Sequence, residues 1–195
     1  MKAWILHGIG DIRLEETVRP KPAEREVLLA VRAVGICGSD IPRIYRTGAY
    51  SHPLIPGHEF AGEVVEVGKG VEPSWVGQRV GVFPLIPCGS CGPCQRKLYE
   101  MCRCYSYLGS RRNGGFAEYT AVPVQNLLRL PRQASYEEAA MLEPMAVAVH
   151  AMRRAGISMS DTVAVCGLGT IGLLLVMFLR EAGISNILAI GNKNF

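Results

Sequence analysis

Short apolar runs separated by glycine and proline turns make up the first two thirds of the chain. The clearest runs cover 27–34, 60–67, 79–83 and 116–122. Runs of this length that are rich in β-branched residues and bounded by turn residues are typical of β-strands. We therefore predict a mainly β first domain, built as an antiparallel, barrel-like sheet.

The pattern becomes helical near Ser135. Ser135 stands three residues before Glu138, which is the signature of a capping box at the start of a helix. The apolar segment that follows, as far as Met152, is predicted to be helical despite Pro144.

A second kind of unit follows. Residues 162–166 form a buried-type strand that leads directly into a glycine-rich turn at 167–172. A helix is predicted from this turn to Glu181, with Gly183 at its end, and 186–190 form another buried-type strand. Strand, glycine-rich turn, helix and strand are the beginning of a dinucleotide-binding, Rossmann-type α/β fold.

These patterns divide the chain into a β domain over 1–150 and a first β-α-β unit over 151–195. A complete dinucleotide-binding domain needs about six parallel strands. We therefore expect the second domain to be a truncated start of that fold.

Composition narrows the function further. Charged residues make up 19% of the 195 residues and the net charge is only +4, without the basic stripe that nucleic-acid binding usually needs. The longest apolar run, 171–179, is too short to span a bilayer, and the N-terminus does not have the pattern of a signal peptide. We expect a cytoplasmic protein that binds neither nucleic acid nor membranes, in which clustered cysteines bind metal.

Four cysteines lie close together in the sequence, with two, two and seven residues between them: Cys88, Cys91, Cys94 and Cys102. Thiolates suit tetrahedral zinc, and four of them leave no open position for a substrate. This spacing therefore predicts a structural zinc site. The alternatives are buried free cysteines or an iron–sulfur cluster, and Cys104 is an alternative fourth ligand.

Cys37 and the pair His58-Glu59 would each be weak signals alone, because isolated cysteines and histidines are usually structural. Together with the four-cysteine loop and the glycine-rich turn, however, they form a specific set. In this combination the chain resembles the zinc-dependent medium-chain alcohol dehydrogenases, and among them the polyol enzymes similar to sorbitol dehydrogenase. The resemblance rests on residues 35–40, 57–62, 88–102, 143–144 and 167–172, and on 37–44 and 109–119 for the polyol group.

The resemblance implies a GroES-like first domain that carries a catalytic zinc. Cys37 and His58 would be ligands, and the third protein ligand would be Glu59 or Glu143. Asp40 would accept a hydrogen bond from the free ring nitrogen of His58; the alternative is a turn or N-cap residue.

The implied reaction oxidises an alcohol to a ketone, with zinc acting as a Lewis acid on the substrate hydroxyl. Ser39 is the candidate for the first step of proton transfer, because its hydroxyl can donate and accept. Arg43, Arg111 and Arg112 are candidates for binding a substrate phosphate, since guanidinium groups match phosphate oxygens. The alternative interpretation is that these three arginines are solvated surface residues.

The turn at 167–172 predicts a cofactor site at the start of a helix. Gly167 would permit the turn, Gly169 would let the pyrophosphate approach the backbone, and Gly172 would let helix and strand pack closely. Thr170 and Ile171 complete the predicted cofactor-binding residues.

NAD-binding folds usually carry an acid at the end of the second strand, where it binds the ribose. Here Gly191 occupies that position, and Lys193 could attract a 2′-phosphate. NAD follows from the family resemblance, and NADP is the alternative.

We thus expect two zinc ions per chain and a dehydrogenase that acts on a polyol or polyol phosphate. Alternatives are a dehydrogenase of a small diol or threonine-like substrate, and a non-catalytic zinc-binding fragment or interaction module. Relatives complete the first domain with C-terminal residues that these 195 residues do not contain, so we expect this chain to be inactive alone. The full-length protein is expected to be a homo-oligomer.

Overall fold

The computed structural model describes residues 1–192, and the chain divides into two compact units. The first unit covers Met1–Leu142 and the second begins at Glu143, which is earlier than the predicted change at 150. The assignment of the two domains stays a prediction.

The strands are β1 (Lys2–Gly8), β2 (Asp11–Glu16), β3 (Glu26–Gly35), β4 (Glu59–Val67), β5 (Arg79–Val82), β6 (Leu85–Ile86), β7 (Ser106–Tyr107), β8 (Tyr119–Pro123), β9 (Leu127–Arg129), β10 (Thr162–Cys166) and β11 (Asn186–Ile190). The α-helices are α1 (Asp40–Pro42), α2 (Gly92–Gln95), α3 (Tyr136–Ala140), α4 (Leu142–Ala155) and α5 (Thr170–Glu181).

An antiparallel five-stranded sheet in the order β8-β3-β4-β5-β9 forms the centre of the first unit. Four of its strands, β3, β4, β5 and β8, correspond to the four predicted apolar runs. The strand β8 begins at Tyr119, three residues after the start of the predicted run 116–122. The core beneath the sheet is aliphatic and includes Val27, Leu29, Phe60 and Val64, each at most 1% exposed. The prediction of a sheet-rich first part is confirmed.

A hairpin of β1 and β2 was not among the predicted strands. Lys2 pairs with Glu16, and the connecting turn contains Gly10 at φ 76°. Ala3 and Leu6 point into the protein and are at most 1% exposed. Two glycines at positions 8 and 10, between alternating runs, are the signal that would have predicted this hairpin.

The helical segment after Ser135 is two helices, not the single one that was predicted. The capping box is present, since the Ser135 hydroxyl accepts the Glu138 N–H and the Glu138 carboxylate accepts the Ser135 N–H. The first helix ends at Ala140, with Met141 as its C-cap, and Pro144 lies in the first turn of the second helix. A proline there lacks only an N–H that would have no partner within the helix, so α4 tolerates it.

The second unit contains a β-α-β arrangement in which β10 and β11 pair in parallel and α5 connects them. The end of α5 is a Schellman motif: the Gly183 N–H donates to Arg180 O, and the Ile184 N–H donates to Leu179 O. Gly183 has the positive φ, 88°, that this motif requires. Across residues 1–192, no helix combines the length and apolar character needed to cross a membrane.

Candidate metal centres and dinucleotide turn

The four predicted cysteines of the loop come together in space. The Sγ atoms of Cys91 and Cys94 are 3.5 Å apart, and those of Cys88–Cys94 and Cys91–Cys102 are 3.9 Å apart. Zn–S bonds of about 2.3 Å in a tetrahedron place sulfurs about 3.8 Å from each other. These distances far exceed a disulfide bond of about 2.05 Å. The sulfurs therefore fit one tetrahedral metal ion, and Cys104 is not a member of this group.

The backbone of this loop favours thiolates at its exposed end. Hydrogen bonds from the N–H groups of Ser90 and Cys91 lower the pKa of Cys88 to about 5. Backbone hydrogen bonds also lower the pKa of Cys91. Cys94 differs, because burial and the neighbouring sulfurs raise its pKa to about 12. A cation among the sulfurs would offset that cost and favour the thiolate form of all four.

A second group consists of Cys37, His58 and Glu59. Cys37 follows the end of β3, and His58-Glu59 stand where β4 begins, so the pairing of these strands brings the three together. One ligand atom from each lies within 4.8 Å of the others. His58 and Glu59 are buried, at 4% and 7% exposure. A sulfur, a ring nitrogen and a carboxylate oxygen are donors that zinc accepts, and three of them leave one position open.

The absence of a side chain at Gly35 makes room for the carboxylate of this group. Gly35 pairs directly with Glu59 across β3 and β4. A Cβ atom at position 35 would lie 2.5 Å from Oε2 of Glu59 and 3.2 Å from its Cβ. The glycine therefore leaves the space that the Glu59 carboxylate occupies, a role that the sequence did not reveal.

Asp40 is fully buried beneath the second group. Its Oδ2 accepts the backbone N–H of Cys37 at 3.0 Å, and its Oδ1 accepts Nη1 of Arg43 at 2.8 Å. The same Oδ1 lies 3.5 Å from Nδ1 of His58, a buried nitrogen with no closer hydrogen-bond partner in the described structure. Asp40 thus holds the turn at Cys37 through a hydrogen bond and lies beside the histidine, and its role as a hydrogen-bond acceptor for His58 stays a prediction.

The histidine and the cysteine of the second group influence each other. Burial opposes protonation of His58, but the neighbouring Asp40 carboxylate and Cys37 sulfur outweigh it and raise its pKa to about 10. The contact with His58 is also the main cause of a lowered pKa at Cys37. The two groups therefore favour a thiolate beside a protonated ring, and a bound metal cation would take the place of the ring's extra proton.

The loop before the second group is held by close backbone packing that the sequence did not reveal. Gly57 has φ 88°, and Gly109 and Gly114 approach its carbonyl so closely that a Cβ at either position would collide with it. The Gly115 N–H donates to Gly57 O at 2.8 Å. The ring of Tyr107 meets the ring of His58 edge-on, with 5.7 Å between centroids. Residues 107–116 therefore support the position of His58.

The remaining candidates of the first unit have the following positions. Ser39 is exposed, and its N–H donates to Cys37 Sγ at 3.5 Å. Arg112 donates to Glu26 at 2.5 Å, and the guanidinium of Arg111 lies over the rings of Tyr50 and Tyr105 at 4.0 and 4.7 Å. Arg43 and Arg112 thus bind carboxylates of the protein itself. Glu143 begins the second unit, and its role as a ligand stays a prediction.

The glycine-rich turn in the second unit is tightly packed on one side. Gly167 has φ 97°, and its N–H donates to Ile190 O at 2.8 Å. A Cβ at Gly172 would collide with Gly167 O, whereas a Cβ at Gly169 would meet nothing within 4 Å. Gly169 is the N-cap of α5, whose first residues are Thr170 and Ile171. The turn is therefore tight inside and open outside, where helix N–H groups can face an anion.

The end of β11 carries no acidic side chain within the described residues. Gly191 and Asn192 follow the strand, and both are exposed. Lys193, which the sequence suggested as a partner for a 2′-phosphate, lies outside the described residues.

A β-sheet unit with a four-cysteine group and a separate cysteine–histidine–carboxylate group, followed by a glycine-rich turn before a helix, is the arrangement expected of the zinc-dependent alcohol dehydrogenase family. The family model of the alcohol dehydrogenase GroES-like domain matches residues 23–132. The chain therefore belongs to this family.

Three characterised relatives are polyol or alcohol dehydrogenases. Galactitol 1-phosphate 5-dehydrogenase of Escherichia coli (strain K12) is 38% identical over 191 residues, which are 97% of this chain and 55% of the relative. Sorbitol dehydrogenase of Bacillus subtilis (strain 168) is 36% identical over 194 residues, which cover 96% of this chain and 55% of the relative. (R,R)-butanediol dehydrogenase of the same organism is 39% identical over an alignment of 203 residues, which covers 97% of this chain and 58% of the relative.

Solved structures agree with these relatives. The crystal structure of galactitol-1-phosphate dehydrogenase from Escherichia coli superposes with a TM-score of 0.91 at 38% identity, over 97% of this chain and 55% of that one. A zinc-binding dehydrogenase from Sinorhizobium meliloti 1021, bound to NADP, superposes with a TM-score of 0.92 at 36% identity, over 96% of this chain and 55% of that one. The chain thus spans little more than half the length of the proteins it matches.

Proposed function

We propose that this chain carries the zinc sites and the proton-handling residues of an NAD(P)-linked dehydrogenase of polyols or polyol phosphates. The overall reaction converts a secondary alcohol and NAD(P)+ to a ketone, NAD(P)H and one proton. The observation that carries the proposal is the group of Cys37, His58 and Glu59, whose ligand atoms lie within 4.8 Å of one another with buried Asp40 beside the histidine.

These three residues would hold the catalytic zinc. Because Nδ1 of His58 faces Asp40, its Nε2 is left for the metal, which is the usual arrangement of a carboxylate, a histidine and zinc. Glu59 is our choice for the carboxylate ligand because it belongs to the group, and Glu143 stays the alternative. Zinc bound there supplies a Lewis acid that polarises the substrate hydroxyl.

Ser39 would receive the proton that the substrate loses. It is exposed and adjacent to Cys37, so its hydroxyl can exchange with water on one side and serve the open metal position on the other. A Ser39→Ala variant would keep the metal and lose most of the turnover.

The second zinc would be structural and bound by Cys88, Cys91, Cys94 and Cys102. Four thiolates complete its coordination and exclude a substrate, so its contribution is to hold the loop 88–102 together. The turn at 167–172 would bind the cofactor pyrophosphate. NAD follows from the family, while the missing acid after β11 and the NADP-bound relative support NADP.

Among the substrate candidates, Arg111 is our choice for contacting a phosphate. Its guanidinium lies over the rings of Tyr50 and Tyr105, and its exposed side chain would bring a fixed positive charge to an anion. The similarity to galactitol 1-phosphate 5-dehydrogenase supports a phosphorylated substrate, and the similarity to (R,R)-butanediol dehydrogenase supports a small diol.

The test is a turnover assay of the complete reading frame that contains this chain, with NAD and NADP and matched free and phosphorylated polyols. We expect oxidation of a polyol that is abolished by Cys37→Ser. A second assay on residues 1–195 alone should show no turnover. A complete, zinc-loaded protein that oxidises no secondary alcohol would contradict the proposal.

A further inference from the structure

Arg43 has a contact that distinguishes it from the other candidate arginines. It follows α1 directly and begins the π-helical turn Arg43–Thr47. Its side chain is 19% exposed, and its Nη1 donates at 2.8 Å to a carboxylate, that of Asp40, which is 0% exposed. A buried carboxylate without a charged partner would be strongly destabilising. Arg43 therefore stabilises the charge of Asp40 inside the protein.

The oxygen that Arg43 contacts is the one beside the histidine. Oδ1 of Asp40 accepts from Arg43 and lies 3.5 Å from Nδ1 of His58, while Oδ2 accepts the Cys37 N–H at 3.0 Å. Each oxygen thus has a donor from the same short segment of chain. These two hydrogen bonds restrain rotation of the carboxylate and so favour one orientation toward the imidazole ring.

We propose that Arg43 is a positioning residue: it holds the Asp40 carboxylate against His58 and thereby aims the other ring nitrogen at the metal. This inference rests on the proposed zinc site at Cys37, His58 and Glu59. It gives Arg43 a role inside the protein in place of the predicted contact with a substrate phosphate. Without Arg43, the Cys37 N–H and the longer contact with His58 would be the remaining contacts of Asp40, and the carboxylate could turn away from the ring.

The experiment uses the chain labelled with ¹⁵N in its histidine rings. The protein has four histidines, so the spectrum contains few signals, and His58→Gln identifies those of His58. In the wild-type chain we expect Nδ1 of His58 to carry the proton and Nε2 to shift when zinc is added. Competition with a chelator gives the zinc affinity of the same samples.

Three variants distinguish the outcomes. Arg43→Met should broaden or shift the His58 signals and weaken zinc binding at this site about 10- to 100-fold, as loss of a supporting partner typically does. Arg43→Lys, which keeps a charged donor, should retain most of the wild-type His58 signals and most of the zinc affinity. Arg46→Met, an exposed arginine three residues further on, should behave as the wild type. If Arg43→Met does not fold, Arg43→Gln provides the same comparison.

Unchanged His58 signals and unchanged zinc affinity in a folded Arg43→Met chain would overturn the inference. If zinc leaves His58 unaffected in the wild-type chain, the metal site itself is wrong, and the proposed function fails before Arg43 is considered. The two failures are distinguishable because the first appears only in the variant and the second already in the wild type.

Discussion

Gly35 lies directly opposite Glu59 on neighbouring strands, and the carboxylate of Glu59 occupies the space where a side chain at position 35 would be. This relationship connects the sheet to the candidate metal centre. The pairing of β3 and β4 places the glutamate, and the missing Cβ lets it take the position from which it can reach Cys37 and His58.

A Gly35→Ala substitution should therefore displace the carboxylate. The new Cβ would lie 2.5 Å from Glu59 Oε2, so the side chain must move. We expect zinc binding at this site to weaken at least about tenfold, similar to the loss of a supporting partner. Gly8→Ala is the control, because a Cβ there meets nothing within 4 Å. Equal zinc affinities in the two variants would show that Glu59 is not a ligand.

Asn126 should contribute measurably to the stability of the first unit. Its amide, 1% exposed, donates to Phe83 O at 2.6 Å and to Leu85 O at 2.8 Å. Asn126→Ala leaves both carbonyls without this donor, and we expect a loss of about 1–3 kcal/mol in the free energy of unfolding. Urea denaturation measures it, with the exposed neighbour changed by Gln125→Ala as the control. Identical stabilities would contradict this role.

Two glycines of the dinucleotide turn should give different phenotypes. Gly172→Ala places a Cβ against Gly167 O and should destabilise the second unit. Gly169→Ala has room for its Cβ, so the fold should persist while the pyrophosphate loses its close approach. Circular dichroism and titration with ADP-ribose separate the two effects. A Gly169→Ala chain that binds ADP-ribose as well as the wild type would contradict the proposed site.

The four-cysteine loop should depend on its metal for stability. Cys94→Ser removes one buried thiolate, and we expect a lower melting temperature together with faster proteolysis of the loop 88–102, because structural zinc contributes directly to folding. Cys104→Ser changes an exposed cysteine outside the group and should leave both unchanged. Equal effects of the two substitutions would mean that the sulfurs do not bind a metal.

The extent to which the sequence predicts this molecule depends on how local each feature is. The four-cysteine loop is predictable because its spacing of two, two and seven residues lies within one short segment. The capping box at Ser135 is local in the same way. Cys37 and His58, by contrast, meet only through the pairing of β3 and β4, and their connection came from the family resemblance.

Contacts between distant segments explain what the sequence did not show. The contact of Gly35 with Glu59 and the edge-on contact of Tyr107 with His58 depend on strand register and loop packing. The break after Ala140 differs, because Pro144 has no N–H to donate to the Ala140 carbonyl and its ring would clash with that carbonyl in a continuous helix. The pattern of apolar residues alone continues across that break and so predicted one helix.

The most direct test of the central claim is the zinc content of the purified chain and of two single variants. The two-site account predicts two zinc ions in the wild-type chain, one in Cys37→Ser and one in Cys94→Ser. A wild-type chain with a single zinc that persists in Cys37→Ser and disappears in Cys94→Ser would contradict it. The chain would then be a zinc-binding structural module without the catalytic centre.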